Sequence, residues 1–190
     1  MKIAVLALQG AFAEHEQMLQ SLGVETTLIR NLEDWKSYLS SNGSGLVIPG
    51  GESTSMMWIM KDEGLFEPIR EAILGGLPVL GTCAGLIMLD RNHLDVMNIL
   101  AKRNAYGRQL GSFNYKGEFL GIGKVPMTFI RAPYIEEAGP EVEILATVEG
   151  KAVAARQRNM LVTAFHPELT DDTRIHELFL SLVKNQNNCS

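Results

Sequence analysis

The composition of this chain limits the kinds of protein it can be. It has 190 residues, of which 46% are hydrophobic and 21% are charged, as in an ordinary globular domain. A formal net charge of −5 argues against a nucleic-acid-binding surface. No apolar stretch approaches the roughly 20 residues that span a bilayer, so no membrane partner is expected. The two cysteines, Cys83 and Cys189, are too few for a disulfide framework, which favours a cytoplasmic protein.

The first half of the chain alternates predicted strands with predicted helices. Continuous apolar runs are typical of strands that are buried on both faces, and apolar residues at helical spacing follow them. The predicted strands are Ile3–Leu8, Val24–Arg30, Leu46–Ile48 and Pro78–Leu80, and the predicted helices are Ala11–Leu22, Asp34–Ser40, Ser53–Lys61, Leu65–Leu74 and one beginning with Ala84–Leu89. This alternation indicates a doubly wound parallel sheet, in which ligands bind beyond the carboxyl ends of the strands.

The second half has few helical patterns before residue 166. The predicted strands here are Met127–Ile130, Val142–Val148, Lys151–Gln157 and Met160–Phe165. Arg158-Asn159 is predicted to close a hairpin, with Asn159 taking the left-handed turn conformation. A C-terminal amphipathic helix follows, and a frayed tail is expected over Asn185–Ser190. With no linker or repeat, we predict one domain over residues 1–190.

The segment Gly81-Thr82-Cys83-Ala84-Gly85 lies between a predicted strand and a predicted helix. This is the nucleophile-elbow pattern G-x-nucleophile-x-G, with cysteine as the nucleophile. Glycines are needed because side chains beside such a sharp turn would clash with neighbouring backbone. The helix N-terminus favours the Cys83 thiolate, and the Ala84 N–H is placed to donate to an oxyanion. The alternative is that Cys83 is a small buried hydrophobic residue, which the elbow pattern disfavours.

His166-Pro167-Glu168 could supply a base and the group that orients it. Residues two apart on an extended segment point the same way, and Pro167 is expected to keep the backbone extended. Glu168 would then fix the tautomer of His166, and His166 would activate Cys83. The alternative is a solvated histidine and glutamate at the end of a strand.

Other motifs that contain H-x-E or glycine-rich loops are excluded. A zinc deaminase needs P-C-x-x-C downstream of H-x-E, and no cysteine follows His166 before Cys189. Neither the dinucleotide-binding G-x-G-x-x-G nor the phosphate-binding G-x-x-x-x-G-K-[ST] occurs. We therefore predict no metal and no cofactor.

Pro49-Gly50-Gly51-Glu52-Ser53 ends another strand before a helix. Consecutive glycines let a backbone N–H point into a site, so Gly51 is predicted to be a second oxyanion donor. A plain helix cap, with Ser53 or Thr54 as the N-cap residue, is compatible with that role.

An amino-acid substrate also needs partners for its carboxylate and its ammonium group. Arg103 and Arg131 suit the carboxylate and Glu52 suits the ammonium, although surface solvation is the alternative for each arginine. The remaining histidines have no partner pattern and are expected to have core or surface roles; they are His15, His93 and His176. Helix packing is expected for Met56, Met57, Trp58 and Met60.

Several motifs together resemble the class I glutamine amidotransferases. The motifs are Leu8-Gln9-Gly10, Pro49–Thr54, Gly81–Gly85, Arg103-Asn104, Tyr106–Gln109, Phe129–Pro133 and Phe165–Thr170. GTCAG and HPE are shared across that class. The combination with LQG, PGGEST, RNxxGRQ, FIRAP and FHPELTDD is more specific, and resembles the glutaminase subunit of the two-component pyridoxal 5′-phosphate synthase.

This resemblance implies a three-layer, flavodoxin-like α/β fold, with a mostly parallel sheet and an antiparallel β extension in the second half. It implies a Cys83-His166-Glu168 triad that hydrolyses L-glutamine through a γ-glutamyl thioester. The implied glutamine contacts are Gly51, Glu52, Ser53, Arg103, Ile130 and Arg131. It also implies a (β/α)₈ synthase partner that takes the ammonia within a large hetero-oligomer. The segment between Leu89 and Asn104 departs from the family in being shorter than in most members.

Three alternatives to this function are open from the sequence. One is a stand-alone cysteine hydrolase of related fold, and another is the glutaminase subunit of a different amidotransferase. The third is a non-catalytic subunit with a vestigial site, against which the intact Cys83, His166 and Glu168 argue.

Overall fold

The computed structural model describes residues 1–103 and 112–189. Eleven strands and six α-helices lie in these two ranges. The strands are β1 Lys2–Leu6, β2 Glu25–Ile29, β3 Gly45–Ile48, β4 Val79–Thr82, β5 Ile99–Lys102, β6 Ser112–Phe119, β7 Gly123–Ile130, β8 Tyr134–Ala138, β9 Glu143–Val148, β10 Lys151–Gln157 and β11 Met160–Thr163. The helices are α1 Phe12–Ser21, α2 Leu32–Ser40, α3 Ser53–Asp62, α4 Phe66–Leu74, α5 Ala84–Leu89 and α6 Arg174–Asn188. In these ranges no helix combines the length and the apolar character that crossing a membrane requires.

One large sheet organises the molecule, with strand order β2-β1-β3-β4-β11-β10-β8-β5 and β9 paired to β10. The first five strands in this order, β2, β1, β3, β4 and β11, pair in parallel. The strands that follow β11 in the order, and β9, pair antiparallel with their neighbours. Strands β6 and β7 form a separate antiparallel ribbon. The predicted α/β fold, with a parallel sheet and an antiparallel extension, is confirmed.

The parallel strands are the most buried part of the core. All residues of β3, β4 and β11 are buried, and so are four of the five in β1. Such strands are covered on both faces, which is why their sequences are continuous apolar runs rather than alternating ones. The loops that follow their carboxyl ends therefore lie at one edge of a rigid layer.

Three local predictions were wrong. At the β10–β11 hairpin it is Arg158, with φ 54°, that takes the left-handed conformation rather than Asn159. Helix α6 continues to Asn188, because no glycine or proline interrupts it before Cys189. Trp58 does not pack with the buried methionines of α3, because its position faces outward and leaves it 68% exposed.

Candidate active site

Two adjacent parallel strands bring Cys83 and His166 together. Strand β4 pairs with β11, with Thr82 opposite Thr163, and the Cys83 N–H donates to the Thr163 carbonyl at 2.8 Å. Cys83 follows the end of β4 directly, and His166 lies three residues beyond the end of β11. The strand order therefore places both side chains at the same edge of the sheet, as expected for a site in a doubly wound fold.

The turn at Cys83 is strained, and the glycines beside it are required by space. Cys83 has φ 53° and ψ −105°, a conformation that residues with a side chain rarely adopt. A Cβ on Gly85 would lie 2.1 Å from the Ile48 carbonyl oxygen, and one on Gly81 would lie 2.7 Å from the Gly85 carbonyl oxygen. The structure thus has the elbow geometry that the motif predicts. Ala84 is the first residue of α5, so its N–H belongs to the first turn, where no helical carbonyl accepts.

His166 and Glu168 meet through a turn rather than through an extended segment. His166 Nδ1 lies 2.5 Å from Glu168 Oε1, and both side chains are buried. The extended backbone predicted for this segment was wrong, because Pro167–Leu169 form a 3₁₀ helix. Proline has a fixed φ and no N–H to lose, so it favours the first position of a helix. The turn brings Glu168 back towards His166.

The electrostatics of this pair favour an ionised state. Burial lowers the pKa of His166, but hydrogen bonds to Cys83 and Glu168 outweigh it and raise that pKa to about 10. Burial raises the pKa of Glu168, but the neighbouring His15 and the hydrogen bond from His166 outweigh it and lower that pKa. A protonated imidazole beside Cys83 stabilises a thiolate, which is the reactive form of cysteine.

The loop after β3 closes one side of the site. A Cβ on Gly50 would lie 2.2 Å from His166 Cε1 and 3.3 Å from Cys83 Cβ, so only glycine fits there. The Gly50 carbonyl accepts from the Ala11 N–H at 3.0 Å. Because a trans peptide directs its N–H and C=O in opposite directions, the Gly51 N–H points away from Ala11.

Glu52 caps helix α3, a role that the sequence did not predict. It is the N-cap residue of α3, and its carboxylate accepts from the N–H groups of Thr54 at 3.0 Å and Ser55 at 2.7 Å. Hydrogen bonds from Ser55 and Thr54 lower the pKa of Glu52 to about 2. The prediction that Ser53 or Thr54 caps this helix was therefore wrong, because the longer Glu52 side chain reaches the same donors. Ser53 is instead a buried first residue of α3.

Arg103 is held at the surface by two side chains from other segments. Its guanidinium donates to Thr54 Oγ1 at 3.0 Å and lies 3.3 Å from His93 Nε2. His93 Nδ1 in turn lies 2.6 Å from Asp90 Oδ1, and Asp90 is buried. The short segment after α5 thus carries His93, which contacts Arg103, and Asp90, which holds His93 in place.

Ile130 and Arg131 lie at the end of β7. The Ile130 carbonyl is 3.9 Å from Cys83 Sγ, so this strand borders Cys83. Arg131 is exposed and has φ 44°, which turns the chain sharply after the strand. The motif residues Asn104 and 106–109 lie outside the described residues.

Two further histidines were missed by the sequence reasoning. His15 and His176 were expected to have core or surface roles, and both are buried. His15 lies beside Glu168 and His176 contacts His15, which the sequence did not indicate. They are 161 residues apart in the chain, so no spacing rule could have paired them. The only available signal was a histidine at an otherwise apolar helical position in each helix.

The fold is that of class I glutamine amidotransferases. A solved glutamine amidotransferase is 38% identical in sequence to this chain. The match covers 96% of this chain and 98% of the solved chain, with a TM-score of 0.88. A glutamine amidotransferase from Thermotoga maritima has a TM-score of 0.63 at 16% identity, over 98% of this chain and 85% of its own, which supports the fold alone.

The chain belongs to the SNO glutamine amidotransferase family, whose family model matches residues 5–185. One relative is the pyridoxal 5'-phosphate synthase subunit PdxT of Streptococcus pneumoniae strain CGSP14. It is 55% identical over 193 residues, which cover 98% of this chain and 99% of the relative. The resemblance inferred from the motifs is therefore confirmed.

Proposed function

We propose that this protein hydrolyses L-glutamine to L-glutamate and ammonia, and that it delivers the ammonia to a pyridoxal 5′-phosphate synthase subunit. The observation that carries the proposal is the buried His166–Glu168 pair beside Cys83 on a strained elbow. Membership of the SNO family and 55% identity to a pyridoxal 5'-phosphate synthase subunit support the substrate and the partner.

The chemistry follows from the three side chains. The Cys83 thiolate attacks the carboxamide carbon of glutamine, and the N–H groups of Gly51 and Ala84 hold the resulting oxyanion. Such donors are worth about 3 kcal/mol each in other enzymes. His166 gives its proton to the departing nitrogen, which leaves as ammonia. The neutral His166 then takes a proton from water, whose oxygen attacks the γ-glutamyl thioester and releases glutamate and the thiolate.

The exposed side of the site is proposed to hold the amino-acid end of glutamine. Arg103 and Arg131 bind the α-carboxylate, since a guanidinium matches a carboxylate in charge and geometry. The Glu52 carboxylate stays ionised and meets the ammonium group. Ser53 and the backbone of Ile130 contribute the remaining contacts.

The partner is proposed to be a (β/α)₈ synthase that receives ammonia through an internal path in a large hetero-oligomer. Ammonia released into water would be protonated and would lose its nucleophilicity, so the two active sites need a shared enclosure. In this proposal residues 1–190 form one cytoplasmic glutaminase domain without cofactor or metal.

The test is glutamine hydrolysis with and without the synthase subunit of the same organism. We expect ammonia release to rise on mixing and to be lost in the Cys83→Ala variant, even with the synthase present. Retained turnover in Cys83→Ala would disprove the nucleophile. Equal turnover without the synthase would instead support a stand-alone hydrolase, and stimulation only by another synthase would identify a different amidotransferase.

A further inference from the structure

A row of buried polar side chains continues from Glu168 away from Cys83. Glu168 Oε2 lies 3.4 Å from His15 Nε2, and His15 Nδ1 lies 2.8 Å from His176 Nε2. His15 Nε2 also lies 3.0 Å from Thr82 Oγ1, in the residue that precedes the nucleophile. The side chains of His15 and Glu168 have no exposed surface. The row therefore connects Thr82 and Glu168 to helices α1 and α6.

The row is assembled from parts of the chain that are distant in sequence. His15 lies on α1, His176 on α6, Thr82 at the end of β4 and Glu168 in the 3₁₀ helix after β11. Burying a polar side chain costs free energy unless it is hydrogen-bonded, and an apolar side chain would fill each histidine position at lower cost. Two histidines that contact each other inside this core therefore need a reason beyond packing.

The hydrogen-bonding pattern favours one pair of tautomers. A single proton lies between His15 Nδ1 and His176 Nε2. If His15 Nδ1 carried it, a lone pair of His15 Nε2 would face the Glu168 carboxylate, and the second N–H of His176 would be buried with no acceptor among the described residues. If His176 Nε2 donates instead, His15 Nε2–H donates to Thr82 Oγ1 and lies beside Glu168 Oε2. The second arrangement pairs the N–H group of each ring and gives the carboxylate an N–H dipole.

The charges around the row are consistent with neutral histidines next to an ionised carboxylate. Burial lowers the pKa of His15; Glu168 and Glu14 raise it and His166 lowers it, and burial dominates. Burial, together with the neighbouring His15, lowers the pKa of His176 to about 3 although Glu168 opposes this. His15 thus acts on Glu168 through its N–H group and not as a cation. The two rings also bond to each other directly, and the described residues contain no group of three ligands that could hold a metal ion.

We infer that His15 is a positioning residue of this active site. Its ring, in the tautomer that His176 fixes, places an N–H dipole beside the second carboxylate oxygen of Glu168. Glu168 Oε2 accepts no hydrogen bond from the described residues, and His15 Nε2 lies 3.4 Å from it. With the charge on that oxygen stabilised by the nearby N–H dipole, Oε1 stays directed at His166 Nδ1, and the carboxylate remains ionised although it is buried. The inference rests on the proposed triad and adds two residues that never touch the substrate.

Removing the His15 N–H should shift the titration of the whole site in a defined direction. Without it, the buried Glu168 carboxylate loses a stabilising dipole and its pKa rises. A protonated Glu168 supports the His166 imidazolium less well, so the pairing of His166 with Cys83 weakens and Cys83 reacts fully only at higher pH. A purely structural role would reduce activity equally at every pH.

The experiment is the pH dependence of Cys83 alkylation by iodoacetamide in the full chain. A Cys189→Ser background is used throughout because Cys189 is an exposed free thiol. We expect His15→Met to raise the midpoint of alkylation by about one pH unit. His15→Gln retains an N–H donor, so its midpoint should lie close to that of the parent. Ile69→Val, a mild core change on α4, should leave the midpoint unchanged.

A second variant keeps the test decisive if His15→Met does not fold. His176→Leu removes the donor that fixes the tautomer, and should raise the midpoint in the same direction by a smaller amount. A folded His15→Met or His176→Leu protein with an unchanged midpoint would overturn the inference. So would a shift of the same size in Ile69→Val.

Turnover with the synthase gives an independent reading. We expect kcat/KM of His15→Met to fall about tenfold at pH 6.5 and much less at pH 8.5, which corresponds to a shift of about one unit in the acidic limb. Alkylation requires neither glutamine nor the synthase. A shifted midpoint in a protein without glutaminase activity would therefore contradict the proposed function while it upheld the role of His15.

Discussion

The inner and outer residues of the candidate site are held in different ways. On the inner side, His166 and Glu168 are buried and are backed by histidines from two helices. On the outer side, Glu52, Arg103 and Arg131 are exposed, and Arg103 is held only by its contacts with Thr54 on α3 and with His93. Packing preorganises the proposed chemistry, whereas proposed recognition depends on surface residues. Substitutions on the inner side should therefore change kcat, and those on the outer side should change KM.

The largest effect is expected from Gly50→Ala, on the inner side. The new methyl group would meet His166 Cε1 at 2.2 Å, so the imidazole must move away from Cys83. A displacement of about 1 Å in an active site can lower the rate about 100-fold, and we expect a loss of that size in kcat with little change in KM. Glutamine hydrolysis in the presence of the synthase measures both constants.

Gly23→Ala is the control for Gly50→Ala. Gly23 has φ 79° and no atom within 4 Å of an added Cβ, so this variant introduces backbone strain without a clash. It should lose stability but keep its kcat. A Gly50→Ala protein with normal kcat would show that His166 does not need its present position.

An intermediate effect is expected from Arg103→Ala, on the outer side. A hydrogen bond to a charged group is worth about 2 kcal/mol, so KM for glutamine should rise about 30-fold while kcat changes little. Thr54→Val removes the hydroxyl that accepts from Arg103 and keeps the shape of the side chain, and we expect KM to rise only a few-fold.

Arg91→Ala is the matched control, because Arg91 is also at the surface and pairs with Glu137 at 2.7 Å. It should leave both constants unchanged, since exposed ion pairs contribute little. If Arg103→Ala instead lowered kcat at constant KM, the division between the two sides would be wrong.

The smallest effect concerns stability and tests the inner side without any substrate. The pKa of His176 is about 3 in the fold against 6.5 for an ordinary histidine, so the unfolded chain binds one more proton between these values. The free energy of unfolding should fall by about 1.4 kcal/mol per pH unit from this group as pH drops below 6.5. Between pH 6 and 5 most carboxylates stay ionised in both states, and His166 is largely protonated in both. The pKa of His15 is also lowered by burial, so His15 adds to the slope in the parent and in a His176 variant alike.

Urea unfolding at several pH values measures this slope. His176→Gln should make it shallower, because the titrating group is gone, while Ile69→Val should lower stability by the same amount at every pH. An equal slope in His176→Gln and the parent would mean that this histidine is not held neutral in the fold.

The sequence predicted local features well and long-range ones poorly. The elbow glycines, the apolar parallel strands and the amphipathic α6 follow from short spacings that physical rules connect to structure. The contact between His15 and His176 depends on where α1 and α6 pack, which no local pattern encodes. The cap at Glu52 was missed because serine and threonine are the usual N-cap residues, while the reach of a longer carboxylate depends on the loop before it.

The pairing of β4 with β11 also determines what an assembly error would do. Cys83 and His166 are attached to neighbouring parallel strands in a single register, with Thr82 opposite Thr163. A slip of one residue would move one side chain past the other by about 3.3 Å and turn the strand's faces over. A misregistered molecule would therefore separate Cys83 from His166, so the sheet itself restricts the proposed pairing of these two side chains to correctly folded copies.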